Sequence, residues 1–181
     1  MTRSLDVLDV DAIRAAFAAL SEELRYEEQR GELLIVGGAA MALLYNARQT
    51  TKDVDVCIVA PEKASILREA AIRVAGKLNL PKDWLNDGAK GFVHNLSIGD
   101  TVFEAEALIV RALAAEQLLA MKLSAWRDEL DIRDAGLLLG KLAGSKEKIW
   151  ARVEPYLVPG HEMKACYAFE DLWEKNRDAA G

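Results

Sequence analysis

The feature that most constrains this chain is the run Leu33-Leu34-Ile35-Val36, stopped at once by Gly37-Gly38. Four apolar residues are too few for a helix, so the run reads as a buried strand. The residues after the glycines, Ala39 to Tyr45, are mostly good helix formers. The glycines therefore mark a strand-to-helix turn. Such a turn aims backbone N–H groups and a helix N-terminus at one point, which suits a phosphate. Taken alone, a tight turn in which glycine is merely convenient explains the pair as well. It is not a P-loop, since no Gly-Lys-Ser/Thr follows, and not a dinucleotide fingerprint, since Ala39-Ala40-Met41 follows without a third glycine.

The next strand opens with a second constraint. Val54-Asp55-Val56-Cys57-Ile58-Val59 ends at Pro61, and Asp53 and Asp55 stand two apart at its start. Period-two geometry puts both carboxylates on one sheet face, about 7 Å apart at the Cα atoms for a rise of ~3.4 Å per residue. Carboxylates that close repel unless a cation or protons intervene. Hard oxygen donors without soft ligands nearby suit Mg²⁺ or Mn²⁺ completed by phosphate oxygens. The plainer alternative is a strand entering from solvent with its Asp side chains in water.

The rest of the chain reads outward from these two strands. Ile13, Phe17, Leu20 and Leu24 recur every three or four residues, giving an amphipathic helix from Val10 to about Arg30 with Asp9 or Asp11 as cap. Glu62 to Leu78 is helical through Ile66, Ala70 and Val74, and Pro81 to Lys90 is an irregular segment containing Trp84-Leu85-Asn86-Asp87. Strands are predicted over Phe92–Ile98 and Thr101–Ile109, joined by a Gly99-Asp100 hairpin turn. Helices follow near 114–127, 131–142, 146–157 and 162–177. The expected fold is α/β (α+β): a small mixed sheet with helices over 1–112, then an all-α part over 113–181.

Composition narrows the function. At 181 residues, with 51% hydrophobic and 29% charged, the chain has an ordinary globular balance. No apolar run approaches the roughly 18 residues of a membrane span. Met1 to Asp6 lacks a signal peptide's apolar stretch, and two unclustered cysteines fit a reducing compartment, so the expected location is cytoplasmic. With His94 and His161 as the only histidines, neither at zinc-ligand spacing from a cysteine, structural zinc and histidine-based catalysis have little to work with. A formal charge of −6 argues against a general nucleic-acid binder, though not against a local basic groove.

Strand, Gly37-Gly38, helix, Thr50-Thr51-Lys52 and Asp53-Val54-Asp55 together resemble the nucleotidyltransferase (polymerase-beta-like) superfamily. The run Leu118 to Arg127, centred on Lys122, and Asp131-Ile132-Arg133-Asp134 resemble small bacterial proteins related to AbiEii-type toxins. The likeness spans roughly residues 33 to 140 and implies a minimal nucleotidyltransferase core. It also implies Asp53 and Asp55 as metal carboxylates, Gly37 and Gly38 at the triphosphate, Lys122 at the phosphates or base, and Asp131 and Asp134 as the last acidic motif. A third carboxylate is expected from a neighbouring strand. Glu104 and Glu106 share a face, with Glu104 preferred. Arg48 and Lys52 are candidate phosphate or acceptor contacts. Two residue types depart from the family's pattern or have a plainer use: Ala39 has no hydroxyl for a phosphate, and Lys122 among leucines also fits a lysine whose stem is core and whose charge reaches water.

The implied activity moves a nucleoside monophosphate from an NTP to an acceptor hydroxyl, with RNA or protein preferred as acceptor and an antitoxin protein as a further partner. A catalytically degenerate module of the same fold, binding nucleotide or protein, is the alternative.

Overall fold

The computed structural model describes residues 7–179, with side chains to Asn176. The Met1–Asp6 stretch read above for a leader lies outside them. The chain divides into two units: one of residues up to Gly91 together with Ile98–Leu113, the other of Phe92–Ser97 together with the chain from Ala114 onward.

The first unit is built on a mixed sheet. In chain order its elements are β1 (Leu8–Asp9), α1 (Val10–Tyr26), β2 (Gly31–Ile35), α2 (Gly37–Tyr45), β3 (Thr50–Thr51), β4 (Val54–Ala60), α3 (Ala64–Leu78), β5 (Leu85–Asn86), β6 (Thr101–Ala105) and β7 (Leu108–Ala112). Five strands form one sheet in the order β5-β4-β2-β7-β6, while β1 and β3 pair separately. β2 runs antiparallel to β4 and parallel to β7. Asp9 caps α1 as expected, its Oδ1 accepting from Ala12 N at 2.7 Å.

Alternation along the strands decides what each face does. Phe17 of α1 stacks against Phe103 of β6 at 5.6 Å between ring centroids and against Trp84 at 6.3 Å. A β-carbon on Gly31 would lie 2.8 Å from Leu24 of α1 and 3.3 Å from Leu67 of α3. Gly31, Leu33, Ile35, Val54 and Val56 therefore face α1 and α3 and are buried. Asp53 and Asp55, alternating with Val54, belong to the opposite face.

The hairpin is not where the sequence places it. Phe92–Ile98 forms no strand, and the turn joins β6 to β7 at Glu106-Ala107. The cause is the fully buried Gln117, whose Oε1 accepts from Ser97 N at 2.8 Å and Ser97 Oγ at 2.6 Å, while its Nε2 donates to His94 O at 2.8 Å. A side chain in the second unit thus takes the hydrogen bonds a ladder would have used.

The second unit carries α4 (Ala115–Ala125), α5 (Glu129–Lys141), α6 (Lys146–Val153) and α7 (Glu162–Ala179). Asp128 and Ser145 cap α5 and α6 through Asp131 N and Lys148 N. Among the described residues, no helix is long and apolar enough to cross a membrane.

Candidate functional site

Two connections at one end of the sheet bring the glycine pair to the carboxylates. β2 leaves the sheet at Val36, whose N donates to Asp55 O at 3.0 Å, and turns at Gly37 into α2. Gly37 has φ +59, a left-handed conformation that glycine alone adopts without cost. A β-carbon there would sit 3.4 Å from Asp55 Oδ2, so the Asp55 carboxylate lies against the turn. Val36, as N-cap of α2, has no side-chain oxygen to offer the first-turn N–H groups.

Gly38 is spoken for by two other side chains. Its β-carbon would come 2.7 Å from Thr51 Oγ1 and 3.1 Å from the Arg48 guanidinium. Thr51 Oγ1 in turn donates to Asp53 O at 3.0 Å. The Thr50–Thr51 approach is thus the second wall of the turn, and it puts a hydroxyl and a guanidinium where a residue-38 side chain would go. Ala39 supplies no hydroxyl, but Thr51 does.

Asp53 and Asp55 are both half-buried. Asp53 Oδ2 accepts from Asn86 Nδ2 at 3.1 Å. Burial, then the negative charges of Asp55 and Asp83, hold the Asp53 carboxyl above its ordinary range against the opposing pull of Asn86 and Lys52. A site that raises a carboxylate's proton affinity this way is short of positive charge. Two half-buried carboxylates on one face beside a phosphate-ready turn fit Mg²⁺, which is commonly held by one or two carboxylates plus substrate phosphates. Asp53 and Asp55 would be its protein ligands. No sequence pattern marks Asn86, because the strand that carries it has only two residues.

Glu104 does not join them, which corrects the third-carboxylate expectation. β6 lies three strand spacings from β4, about 14 Å at ~4.8 Å each. Glu104 is also level with Ile109, Glu32 and Ala60, at the far end of β4 from Asp55. Both Glu104 and Glu106 are exposed, and Glu106 faces Arg25 at 3.9 Å. Among the described residues, no three His, Cys, Asp or Glu side chains are grouped to hold a metal.

The second unit gathers the remaining named residues into a cluster of its own. Lys122 Nζ lies 3.0 Å from Asp131 Oδ1 and 2.8 Å from Asp134 Oδ2, with both carboxylates at most 3% exposed. Asp131 Oδ2 also accepts from Arg127 N and Nε at 3.1 Å each, the i,i+4 pair the spacing allows. Burial works to raise the Asp131 carboxyl, but Arg127 and Lys122 outweigh it and hold it below the usual range. The Lys122 ammonium is thus paired with two buried carboxylates and only slightly exposed.

A family model described as nucleotidyltransferase of unknown function, DUF6036, matches residues 11–142. No curated protein and no solved structure matches the chain.

Proposed function

Because the chain belongs to the DUF6036 family of nucleotidyltransferases, we propose that it is a metal-dependent enzyme transferring a nucleoside monophosphate from an NTP to a macromolecular hydroxyl. The observation that carries this is the contact of the Asp55 carboxylate with the Gly37 turn, which in this reading would bring a phosphate-binding turn against a metal ligand. In this reading the first-turn N–H groups of α2, the Arg48 guanidinium and the Thr51 hydroxyl hold the phosphates. Asp53 and Asp55 would hold Mg²⁺ or Mn²⁺, which would supply charge neutralisation at the phosphates and alignment of the acceptor. The acceptor oxygen attacks the α-phosphorus and the α–β P–O bond breaks. Pyrophosphate leaves with the bonding electrons, and a carboxylate of the pair takes the acceptor's proton.

RNA or protein is favoured as acceptor. With a net charge of −6, an RNA would have to be held locally, and Arg48 at the Gly38 turn with the exposed Lys52 next to Asp53 would serve for that. The likeness of Leu118–Arg127 and Asp131–Asp134 to AbiEii-type toxins supports a toxin held in check by an antitoxin protein.

The test is to incubate the protein with each α-labelled NTP, Mg²⁺ and cell extract, and to resolve RNA and protein on gels. Label is expected on one class and to fall by about a hundredfold or more with Asp53→Ala, since several kcal/mol of stabilisation is removed at ~1.4 kcal/mol per tenfold. One observation favours the non-catalytic alternative: no third carboxylate accompanies Asp53 and Asp55 among the described residues. Nucleotide binding without label from any NTP establishes that module instead.

A further inference from the structure

The segment Trp84-Leu85-Asn86-Asp87 is built with more care than a surface loop needs. β5 contains only Leu85 and Asn86, paired in parallel with Val54 and Asp55 at the sheet edge. So short an edge strand cannot hold its own position. It is fixed on both sides to α3. Before it, the fully buried Trp84 donates from Nε1 to Ala71 O at 2.9 Å, and Trp84 O accepts from Val54 N at 2.7 Å. After it, Asp87 Oδ2 accepts from Arg68 Nε at 3.1 Å and Nη2 at 2.5 Å.

Between these two anchors stands Asn86. Its Oδ1 accepts from Gly88 N at 3.2 Å, which leaves the amide nitrogen to face Asp53, where Nδ2 donates to Oδ2 at 3.1 Å. The anchors, the strand register and the Gly88 bond thus converge on one hydrogen bond. Glu104 lies across the sheet, whereas the Asn86 amide is hydrogen-bonded to Asp53 itself.

We propose that Asn86 is a positioning residue of the metal site: it occupies one oxygen of Asp53 and so presents the other, Oδ1, as the ligand atom. The proposal rests on the reading of Asp53 and Asp55 as metal carboxylates. An amide donor holds one Asp53 oxygen without adding, in the metal-free site, the repulsion that a third carboxylate at 3.1 Å would bring. A partner that orients a metal ligand typically changes metal affinity by 10–100-fold when removed.

The experiment follows Mn²⁺ binding to the full chain by loss of the free-ion electron paramagnetic resonance signal, with and without a nonhydrolysable ATP analogue. Thermal melts of every variant accompany it. Asn86→Leu is expected to weaken Mn²⁺ binding in the presence of the analogue by about tenfold or more, with its metal-free melt unchanged because Trp84 and Asp87 still anchor the strand. Asn86→Asp, which puts a carboxylate in place of the amide, is expected to bind Mn²⁺ more tightly than wild type without nucleotide and to change the spectrum of the bound ion. Wild-type affinity in both variants, or a lowered melt of Asn86→Leu with unchanged Mn²⁺ affinity, overturns the proposal and leaves Asn86 a structural residue. If wild type binds no Mn²⁺ even with the analogue, the metal reading itself falls and this inference with it. If wild type binds, Asp53→Asn does not, and Asn86→Leu matches wild type, only the inference falls.

Discussion

Gly37 and Asp55 are in contact across the end of the sheet: the place for a β-carbon on the glycine is 3.4 Å from the Asp55 carboxylate. The glycine also has φ +59, so a side chain there meets both backbone strain and a charged oxygen. Gly37→Ala is expected to cost about 1–2 kcal/mol from the left-handed conformation. That corresponds to a fall of roughly 2–8 °C in melting temperature for a chain of this size. NTP affinity should fall with it, because the turn itself must shift. A melt within a degree of wild type would show that the turn relaxes at no cost.

Gly38 is restricted by neighbours rather than by its own backbone, and that difference is measurable. Gly38→Ala brings its β-carbon 2.7 Å from Thr51 Oγ1, an overlap expected to cost about 1–3 kcal/mol. Thr51→Ala removes the overlapping atom, leaving the flexible end of Arg48 to give way. The double variant should therefore be more stable than the sum of the two single changes predicts, by about 1 kcal/mol. Simple additivity in urea unfolding would mean that Thr51 does not pack against the turn.

Lys122 gives the largest expected stability effect. Lys122→Met keeps the stem but removes the ammonium that faces the buried Asp131 and Asp134, and breaking such a pair costs about 3–5 kcal/mol. Adding Asp134→Leu to the variant should restore part of that loss. The pH dependence has a definite sign. A carboxyl held below its ordinary value stabilises the fold above the unfolded value of about 3.9, and that stability is lost as pH falls through the folded value. Wild type should thus lose stability below about pH 4 more steeply than Lys122→Met does. Urea midpoints across that range decide it, and parallel slopes would contradict the ion cluster.

How much of this was legible beforehand depended on where each residue's partners lie. Gly37, Gly38, Asp53 and Asp55 came from local pattern: a glycine pair after an apolar run, and period two at the start of a strand. Those signals need no long-range information, and the structure brings the four together. Glu104 failed because choosing a neighbouring strand requires strand order, and β2 and β7 intervene between β4 and β6. The hairpin moved because Gln117, some 20 residues beyond Ser97, takes the Ser97 N–H and the His94 carbonyl. Asn86 was hidden for a related reason. Two residues show no periodicity, and only Trp84 in an otherwise irregular segment hinted that the loop was anchored.

Asp53 offers a test in which adding the ligand should reverse the order of stability. Its carboxyl is held above the ordinary range by burial and by Asp55 and Asp83, so the metal-free native state binds that proton more tightly than the unfolded chain. The resulting stabilisation is fully present below the unfolded value of about 3.9 and is lost as pH rises through the folded one. At pH 7 the metal-free protein therefore carries an unfavourable charge, and Asp53→Asn removes it while keeping an oxygen that can accept from Asn86. The metal-free variant should melt above wild type at pH 7, with the gap closing as pH approaches 4. Mn²⁺ and a nonhydrolysable NTP should then stabilise wild type by about 2.7 kcal/mol at a hundredfold excess over Kd. The variant, lacking a ligand for the ion, should gain little, and wild type should become the more stable of the two. A variant that melts below wild type without metal at pH 7 would instead make the Asp53 charge a structural asset, and the metal site would lose its electrostatic argument.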